Sequence, residues 1–233
     1  MRKLVFEWLE REFVELNGEG RSGLGAAEQT RDLFDRFNAE LRGLGLSLDH
    51  TVRTRLWGRD RASRDEGSRE RVAVLAGAAR SATSSYISPS HFDSEASVAL
   101  DLWAMRPTSP ALAKALVEYD PPIVPLRYLV WEQVVVLSGV TAVLPTLADQ
   151  VADILPRIEE SLSNAGSSWE QVARMSCFLH RGQSVDELKD LLARAVDVRF
   201  PSFEVGFADG YSSEGKLVEI EITASTLLGH PRG

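Results

Sequence analysis

Apolar residues recur along the chain with two alternating spacings, and the order of these spacings repeats in the second half. Residues 13–16 and 134–137 are short apolar runs that end close to a glycine, which is typical of β-strands. After each run, apolar residues recur three or four positions apart, as on one face of an amphipathic helix: Leu33, Phe34, Phe37 and Leu41, then Ile154, Leu155, Ile158 and Leu162. Each helix is predicted to end at a glycine, Gly45 or Gly166.

The pattern continues in the same order in both halves. A second strand is predicted over residues 52–57 and again over 173–178. The Ser-x-x-Glu sequences that begin at Ser63 and Ser184 are capping boxes, and each is predicted to open a second helix. Alternating strands close each half near residues 98–103 and 218–223. This order predicts an α+β module in which two helices pack on one face of a β-sheet.

The two halves are related by sequence as well as by pattern. When the chain is shifted by 121 residues, residues 14–66 and 135–187 align without a gap and share 14 identities in 53 positions. Chance alone gives roughly one identity in sixteen for average composition. We infer a tandem duplication, with modules at residues 1–105 and 127–233. The proline-rich linker, residues 106–126, is predicted to contain a short helical piece from Ala111 to Tyr119.

Composition narrows the function classes. The net charge is −8 and the pI about 5.1, which argues against a nucleic-acid-binding surface. We find neither a signal-peptide pattern nor an apolar stretch long enough for a membrane span. The single cysteine, Cys177, alternates with Met175 and Leu179 and is predicted to be a core residue. The four histidines lie far apart, so no metal site is expected, and the sequence predicts a cytoplasmic protein.

The second module resembles the Rid/YjgF family through VVVLSGVTA, LADQVADILPRIEESLSNAGSSWEQVARMSCFLH, RFPSFEV and LVEIEITA. The first module matches through AEQTRDLFDRFNAELRGLGLSLDHTVRTRLW and AARS. The family includes imine and enamine deaminases and the two-module chorismatases, which this chain distantly resembles. The resemblance implies two tandem modules with the chorismate-mutase-like fold, which associate into threefold barrels with pockets at the interfaces. It also implies catalysis without a metal ion or an organic cofactor.

The resemblance assigns two catalytic candidates. In deaminating members, an arginine in a Pro-x-Arg-Ser stretch grips the substrate carboxylate, and a glutamate on the final strand positions the attacking water. By position, the arginine is Arg80, followed by Ser81, and the glutamate is Glu219. The second module has Phe203 in place of the arginine, and the first module has Ala99 in place of the glutamate. Each module therefore has only part of the family's catalytic set.

Further pocket candidates are Glu15, at the place of a pocket tyrosine in the family, and Tyr86, on the strand face of Arg80. Each candidate has an alternative interpretation. Arg80 is either a fork for a carboxylate or a partner in an ion pair. Glu219 either holds water or lies with Glu221 on the solvated face of an edge strand. Glu15 is either a pocket carboxylate or solvent-facing, and Tyr86 either caps a ligand or is an ordinary sheet aromatic.

These observations predict a hydrolase or deaminase-like enzyme that acts on a small carboxylate-bearing molecule, in what the resemblance suggests is a specialised biosynthetic pathway. The substrate-binding set is Arg80, Ser81, Glu15, Tyr86 and Phe203. The alternative is a non-catalytic ligand-binding or scaffold protein that has lost the complete catalytic set.

The resemblance also predicts a homotrimer. Three modules close the family's barrel, and three chains supply enough modules for two closed rings under threefold symmetry. Light scattering at micromolar concentration should give about three times the chain mass of 25.7 kDa. A mass of one chain would contradict this prediction.

Overall fold

The computed structural model describes residues 1–226, which form two modules of closely similar construction. The elements of the first module are β1 (Arg2–Trp8), β2 (Arg11–Glu19), α1 (Ala26–Gly43), β3 (Thr51–Gly58), α2 (Arg61–Val74), β4 (Ala82–Ile87) and β5 (Val98–Met105). Those of the second half are β6 (Ala115–Val117), β7 (Tyr128–Trp131), β8 (Val134–Leu137), β9 (Val140–Thr141), α3 (Leu147–Asn164), β10 (Val172–His180), α4 (Val185–Ala195), β11 (Ser202–Ala208) and β12 (Val218–Ser225).

Each module has its own sheet. The strand order is β1-β2-β5-β3-β4 in the first and β11-β10-β12-β8-β7-β6 in the second, where β9 also pairs with β12. In both sheets one pair is parallel, β3 with β4 and β10 with β11. Helices α1 and α3 lie 121 residues apart at both ends, and an irregularity follows the first residue of β3 and of β10 alike. The predicted duplication and the α+β class are confirmed.

The helix starts follow from local hydrogen bonding. Ser184 caps α4 as predicted, because its side chain accepts a hydrogen bond from the amide of Glu187. The prediction that Ser63 opens α2 is wrong. Asp60 is the capping residue, and its carboxylate accepts the amide of Ser63 at 2.8 Å. An aspartate three residues earlier caps as well as serine, so the helix gains almost one turn.

The molecule has four layers, helices–sheet–sheet–helices. In the first module, Leu33, Phe37 and Leu41 of α1 pack on Leu16, Leu56 and Leu102 of the sheet. In the second, residues of α3 and α4 pack on β10 and β12 in the same way, and Cys177 is fully buried in this core. The opposite faces of the two sheets meet in two further clusters that combine residues of both modules. The second cluster contains Tyr86, Trp57 and Phe178.

The segment between the modules differs from its prediction. No helix forms between residues 111 and 119; instead β6 pairs with β7 at the edge of the second sheet. Backbone hydrogen bonds to an existing strand stabilise this segment more than a single helical turn beside Pro110 would, because a helix of this length is unstable by itself.

Strand β4 places the modules against each other. Thr83 donates its amide to the hydroxyl of Ser138 at 3.1 Å, and the amide of Gly139 donates to the carbonyl of Thr83 at 3.2 Å. At the other end of β4, Ile87 exchanges two backbone hydrogen bonds with the loop at residues 209–210. The edge of the first sheet is therefore sealed by loops of the second module, and this junction holds the candidate site.

Candidate functional site

A buried ionic cluster joins the two sheets. Arg53 and Arg55 of β3 converge on Glu221 of β12. The Nε and Nη2 atoms of Arg55 donate to Oε2 of Glu221 at 2.9 and 2.8 Å, and Nη1 of Arg53 lies 2.8 Å from the same oxygen. Burial alone would raise the pKa of Glu221, but Arg55 and Arg53 lower it to about 2. Glu221 is therefore ionised at every physiological pH.

Glu219 lies two residues earlier on the same face of β12, and its surroundings have the opposite effect. It is 5% exposed. Burial and the negative charge of Glu221 raise the pKa of Glu219 to about 7. The hydroxyl oxygen of Tyr86 lies 3.2 Å from Oε1 of Glu219 and 2.9 Å from Oε1 of Glu221. Because this hydroxyl has one proton, it can donate to Glu221 while accepting from a protonated Glu219.

Glu219 lines a cavity of about 650 Å³ between the modules, a volume typical of small-molecule sites. Helix α2 and β4 form one side, and β9 with the loop before β12 forms the other. Five cationic side chains line it, against the two carboxylates of Asp65 and Glu219: Arg64, Arg69, Arg71, Arg157 and Lys216. This excess of positive charge favours an anionic ligand.

Two of the cations interact electrostatically with Glu219. Arg71 is buried and donates to the carbonyl of Ser84 at 2.6 Å and to the hydroxyl of Ser85 at 2.8 Å. Burial lowers the pKa of Arg71 to about 9, which leaves it a cation at neutral pH. Burial also lowers the pKa of Lys216, and the charge of Glu219 partly opposes this shift.

Gly139 makes room for the Glu219 carboxylate. A Cβ atom at residue 139 would lie 1.8 Å from Oε1 of Glu219, so no other residue fits there without displacing that oxygen. The matching Gly18 of the first module faces Leu33 and Phe37 instead. The two equivalent glycines therefore have different roles: Gly18 allows close packing in the core of the first module, and Gly139 makes room for the candidate site.

The structure brings Tyr86 and Glu219 together but places Arg80 and Ser81 elsewhere. Arg80 forms an ion pair with Glu118, and its side chain is 38% exposed. Arg80 and Ser81 line a smaller cavity next to that of Glu219, and they are absent from the lining of the larger one. The arginine and the glutamate that the resemblance assigned thus belong to adjoining cavities.

Glu15 and Phe203 lie away from both cavities. Glu15 is half-buried on β2 and accepts a hydrogen bond from the side-chain amide of Asn17 at 3.2 Å. Phe203 is 37% exposed on β11.

Two positional expectations need correction. Phe203 was taken as the counterpart of Arg80. In the sheets, however, Ala82 pairs with Arg53 where Ser202 pairs with Arg174, so the counterpart is Phe200. The expectation matched Pro201-Ser-Phe203 to the family's Pro-x-Arg stretch, but the loop before β11 is one residue shorter than the loop before β4, and the strand pairing places Phe200 at the position of Arg80. The solvated edge strand proposed for Glu219 and Glu221 is also wrong, because β12 lies inside the sheet and both side chains are buried.

Sequence reasoning missed the cations of the cavity. Arg64, Ser68 and Arg71 lie four and three residues apart on α2, so helical spacing alone places them on one face. That stripe was a usable signal for Arg64 and Arg71. No sequence signal pointed to Lys216 or Gly139, because their roles depend on loops that only the tertiary structure brings together.

Residues 1–226 contain neither a candidate membrane helix nor a candidate metal-binding cluster. No helix there combines the length and the apolar character needed to cross a membrane. No three His, Cys, Asp or Glu side chains in that range converge in a way that could hold a metal ion.

The raised pKa of Glu219 predicts how stability depends on pH. A carboxyl group that binds its proton more tightly in the folded state stabilises the fold most below its unfolded pKa of 4.5, and this contribution disappears as the pH rises through 7. Between pH 5 and 8, the free energy of unfolding should fall by on the order of 2 to 3 kcal/mol through this group. Glu219→Gln, a neutral isostere, should remove most of that dependence in denaturant titrations.

The exposed Glu214→Gln is the matched control and should keep the wild-type dependence. Glu221 should not contribute in this range, since its lowered pKa destabilises the fold only as the pH falls below 4.5. Parallel curves for the wild type and Glu219→Gln would show that Glu219 titrates normally.

Comparison with known proteins supports the fold. No family model and no curated protein matches the sequence. Among solved structures, a chorismatase is similar over 92% of this chain and 74% of its own, with 17% identity and a TM-score of 0.60. A YjgF/YER057c/UK114 family member from Mycobacterium tuberculosis is similar over 49% of this chain and 100% of its own, with 23% identity and a TM-score of 0.43. A YjgF protein from Neisseria meningitidis covers 50% of this chain and 97% of its own, with 21% identity and a TM-score of 0.42.

The chorismatase likeness extends through both modules. At this identity it concerns the fold, and it agrees with the duplication seen in the sheets and helices. The resemblance found in the sequence is thereby confirmed at the level of the fold: the chain consists of two tandem Rid/YjgF-like modules arranged as in a chorismatase.

Proposed function

We propose that the cavity between the modules binds a small carboxylate-bearing molecule and that Glu219 transfers protons in a hydrolase or deaminase-like reaction. One observation carries this proposal: a buried carboxyl group with a pKa of about 7 lines a cationic cavity. A pKa near the working pH is what a general acid–base group needs, because both of its forms are then populated.

The proposed chemistry uses both forms of Glu219. The ionised carboxylate accepts a proton from water as the water oxygen bonds to an electrophilic carbon of the substrate. The protonated form then donates that proton to the departing nitrogen or oxygen, and Glu219 returns to its starting state. Tyr86 holds the carboxyl group in place through its hydroxyl, which also contacts the permanently ionised Glu221. Neither a metal ion nor an organic cofactor takes part in this proposal.

The substrate carboxylate is proposed to bind the cations of the cavity. Arg71 and Lys216 line the same space as Glu219 and supply positive charge there. Arg80, in the adjoining cavity, is the proposed second contact: its guanidinium would leave Glu118 and turn toward the carboxylate in the larger cavity. A partly exposed ion pair of this kind contributes little to stability, so little free energy is lost when Arg80 leaves Glu118.

A second candidate function is ligand binding without turnover. It is favoured by the separation of Arg80 from Glu219, since a deaminating site of the family holds both groups against one substrate. In this case the cavity would recognise an anion, and the chemistry would have been lost.

A screen of small carboxylates by thermal shift, followed by assays of imino acids and chorismate, separates the two candidates. If Glu219 is the acid–base group, Glu219→Gln should keep ligand binding and reduce kcat by about 10²- to 10⁴-fold. Stabilisation by ligands without turnover of any of them by the wild type would favour the binding protein.

Arg80 is tested by two substitutions. Arg80→Ala should weaken carboxylate binding by about 10- to 100-fold, because a charge-assisted hydrogen bond is lost. Arg80→Lys should weaken it less, since an ammonium group keeps the charge but not the two-pronged geometry. Neither should change the melting temperature more than Arg106→Ala, which removes an ion pair of similar exposure with Glu12. A sharp loss of stability with unchanged affinity would identify Arg80 as a structural residue.

A further inference from the structure

A second cavity, of about 280 Å³, adjoins the Glu219 cavity. The two share five lining residues, Arg71, Val72, Thr83, Val124 and Pro125, so the cavities meet along a common border. The segment at residues 123–126 covers both. A molecule that fills one cavity therefore lies within reach of the other.

The chemistry of the second cavity differs from that of the first. Its other walls are mainly small or apolar: Leu75, Ala76, Gly77 and Leu126. Five cations line the larger cavity. Of the part of the chain that the structure describes, only Arg71 and Arg80 contribute cations to this one, and Arg80 is paired with Glu118. These walls suit an apolar group better than a second anion.

Two buried polar atoms at this cavity have no hydrogen-bond partner among residues 1–226. They are the hydroxyl of Ser81, a residue 4% exposed, and Nε of Arg71, whose other nitrogens are engaged by Ser84 and Ser85. A buried polar atom without a partner is costly, and a ligand oxygen placed between apolar walls would remove this cost.

We propose that the second cavity is a subsite for the same substrate, which is an acid with an apolar body and an oxygen at its far end. The carboxylate binds among the cations beside Glu219, the apolar body lies along Val72 and Thr83 where the two cavities meet, and the far oxygen forms a hydrogen bond with the hydroxyl of Ser81. This inference rests on the proposed function and adds the class of substrate to it.

The wall of the subsite is held in a fixed position. Lys114 donates to the carbonyls of Arg80 and Thr51 at 2.9 and 2.7 Å, which ties the start of β4 to β3. Ser81 follows directly, so its hydroxyl is positioned before a ligand arrives.

The test uses acetate, butyrate, hexanoate and 6-hydroxyhexanoate as probes for the intact chain, with affinities from calorimetry and ligand-observed NMR. In the wild type, affinity should rise about three- to fourfold for each added methylene until the small cavity is full. Ala76→Phe fills only the small cavity and should abolish this gain while leaving acetate binding unchanged. Ala73→Phe, at an exposed position of α2 that lines neither cavity, should behave as the wild type.

Ser81→Ala separates the polar contact from the apolar one. It should reduce the affinity for 6-hydroxyhexanoate by about 5- to 10-fold and leave hexanoate unaffected, since one neutral hydrogen bond is lost. Acetate binding without any effect of chain length, in the wild type and Ala76→Phe alike, would overturn the subsite but not the proposed function. Failure of every probe to bind would overturn both.

Discussion

The arrangement of the two modules depends on the contact of Arg53 and Arg55 with Glu221. Three charged groups are buried between two sheets, and removal of one partner would leave the others without compensation. The second sheet can therefore approach the first only where its carboxylate meets both guanidinium groups. Arg53 strengthens this requirement, because its Nη2 donates to the carbonyls of Leu137 and Ile222 in the second module. The cluster sets the register between the modules, and the cavity follows from that register.

The same cluster gives two neighbouring glutamates different properties. Glu221 receives the arginines and is fixed as an anion. Glu219, two residues away, is repelled by Glu221, and no cation among residues 1–226 lies at hydrogen-bond distance from it. Environments that push the pKa values of paired carboxyl groups apart are the usual way in which a site acquires both an acid–base group and a fixed charge. Tyr86 connects the two. The ion pairs that join the modules and the hydrogen bond from Tyr86 to Glu219 thus belong to one network.

Much of the fold was predictable, because the spacing of apolar residues indicates the helices and strands and the sequence repeat applies to both modules. The spacing of Leu33, Phe37 and Leu41 predicted α1, and the shift of 121 residues transferred that prediction to α3. The segment at residues 111–119 was mispredicted because its partner, β7, is supplied by tertiary structure, which outweighs local propensity.

The site was predictable only in part. Glu219 came from a family position on a strand, whose register a sequence alignment preserves. The separation of Arg80 from Glu219 depends on the path of residues 118–126, which carries no periodic signal. Lys216 and Gly139 likewise became visible only when loops met across the modules.

The duplication within one chain has a consequence for how such a site can change. In a ring of identical subunits, any substitution appears at every interface at once, so a residue must suit all of its copies. Here the copies are encoded separately: Glu219 corresponds to Ala99, and Tyr86 to Gly206, where a Cβ atom would collide with Phe178. The position of Glu219 is therefore free to specialise, while its counterpart Ala99 lies in a cluster of aromatic side chains. A designer can therefore alter either wall of the cavity without disturbing its duplicate.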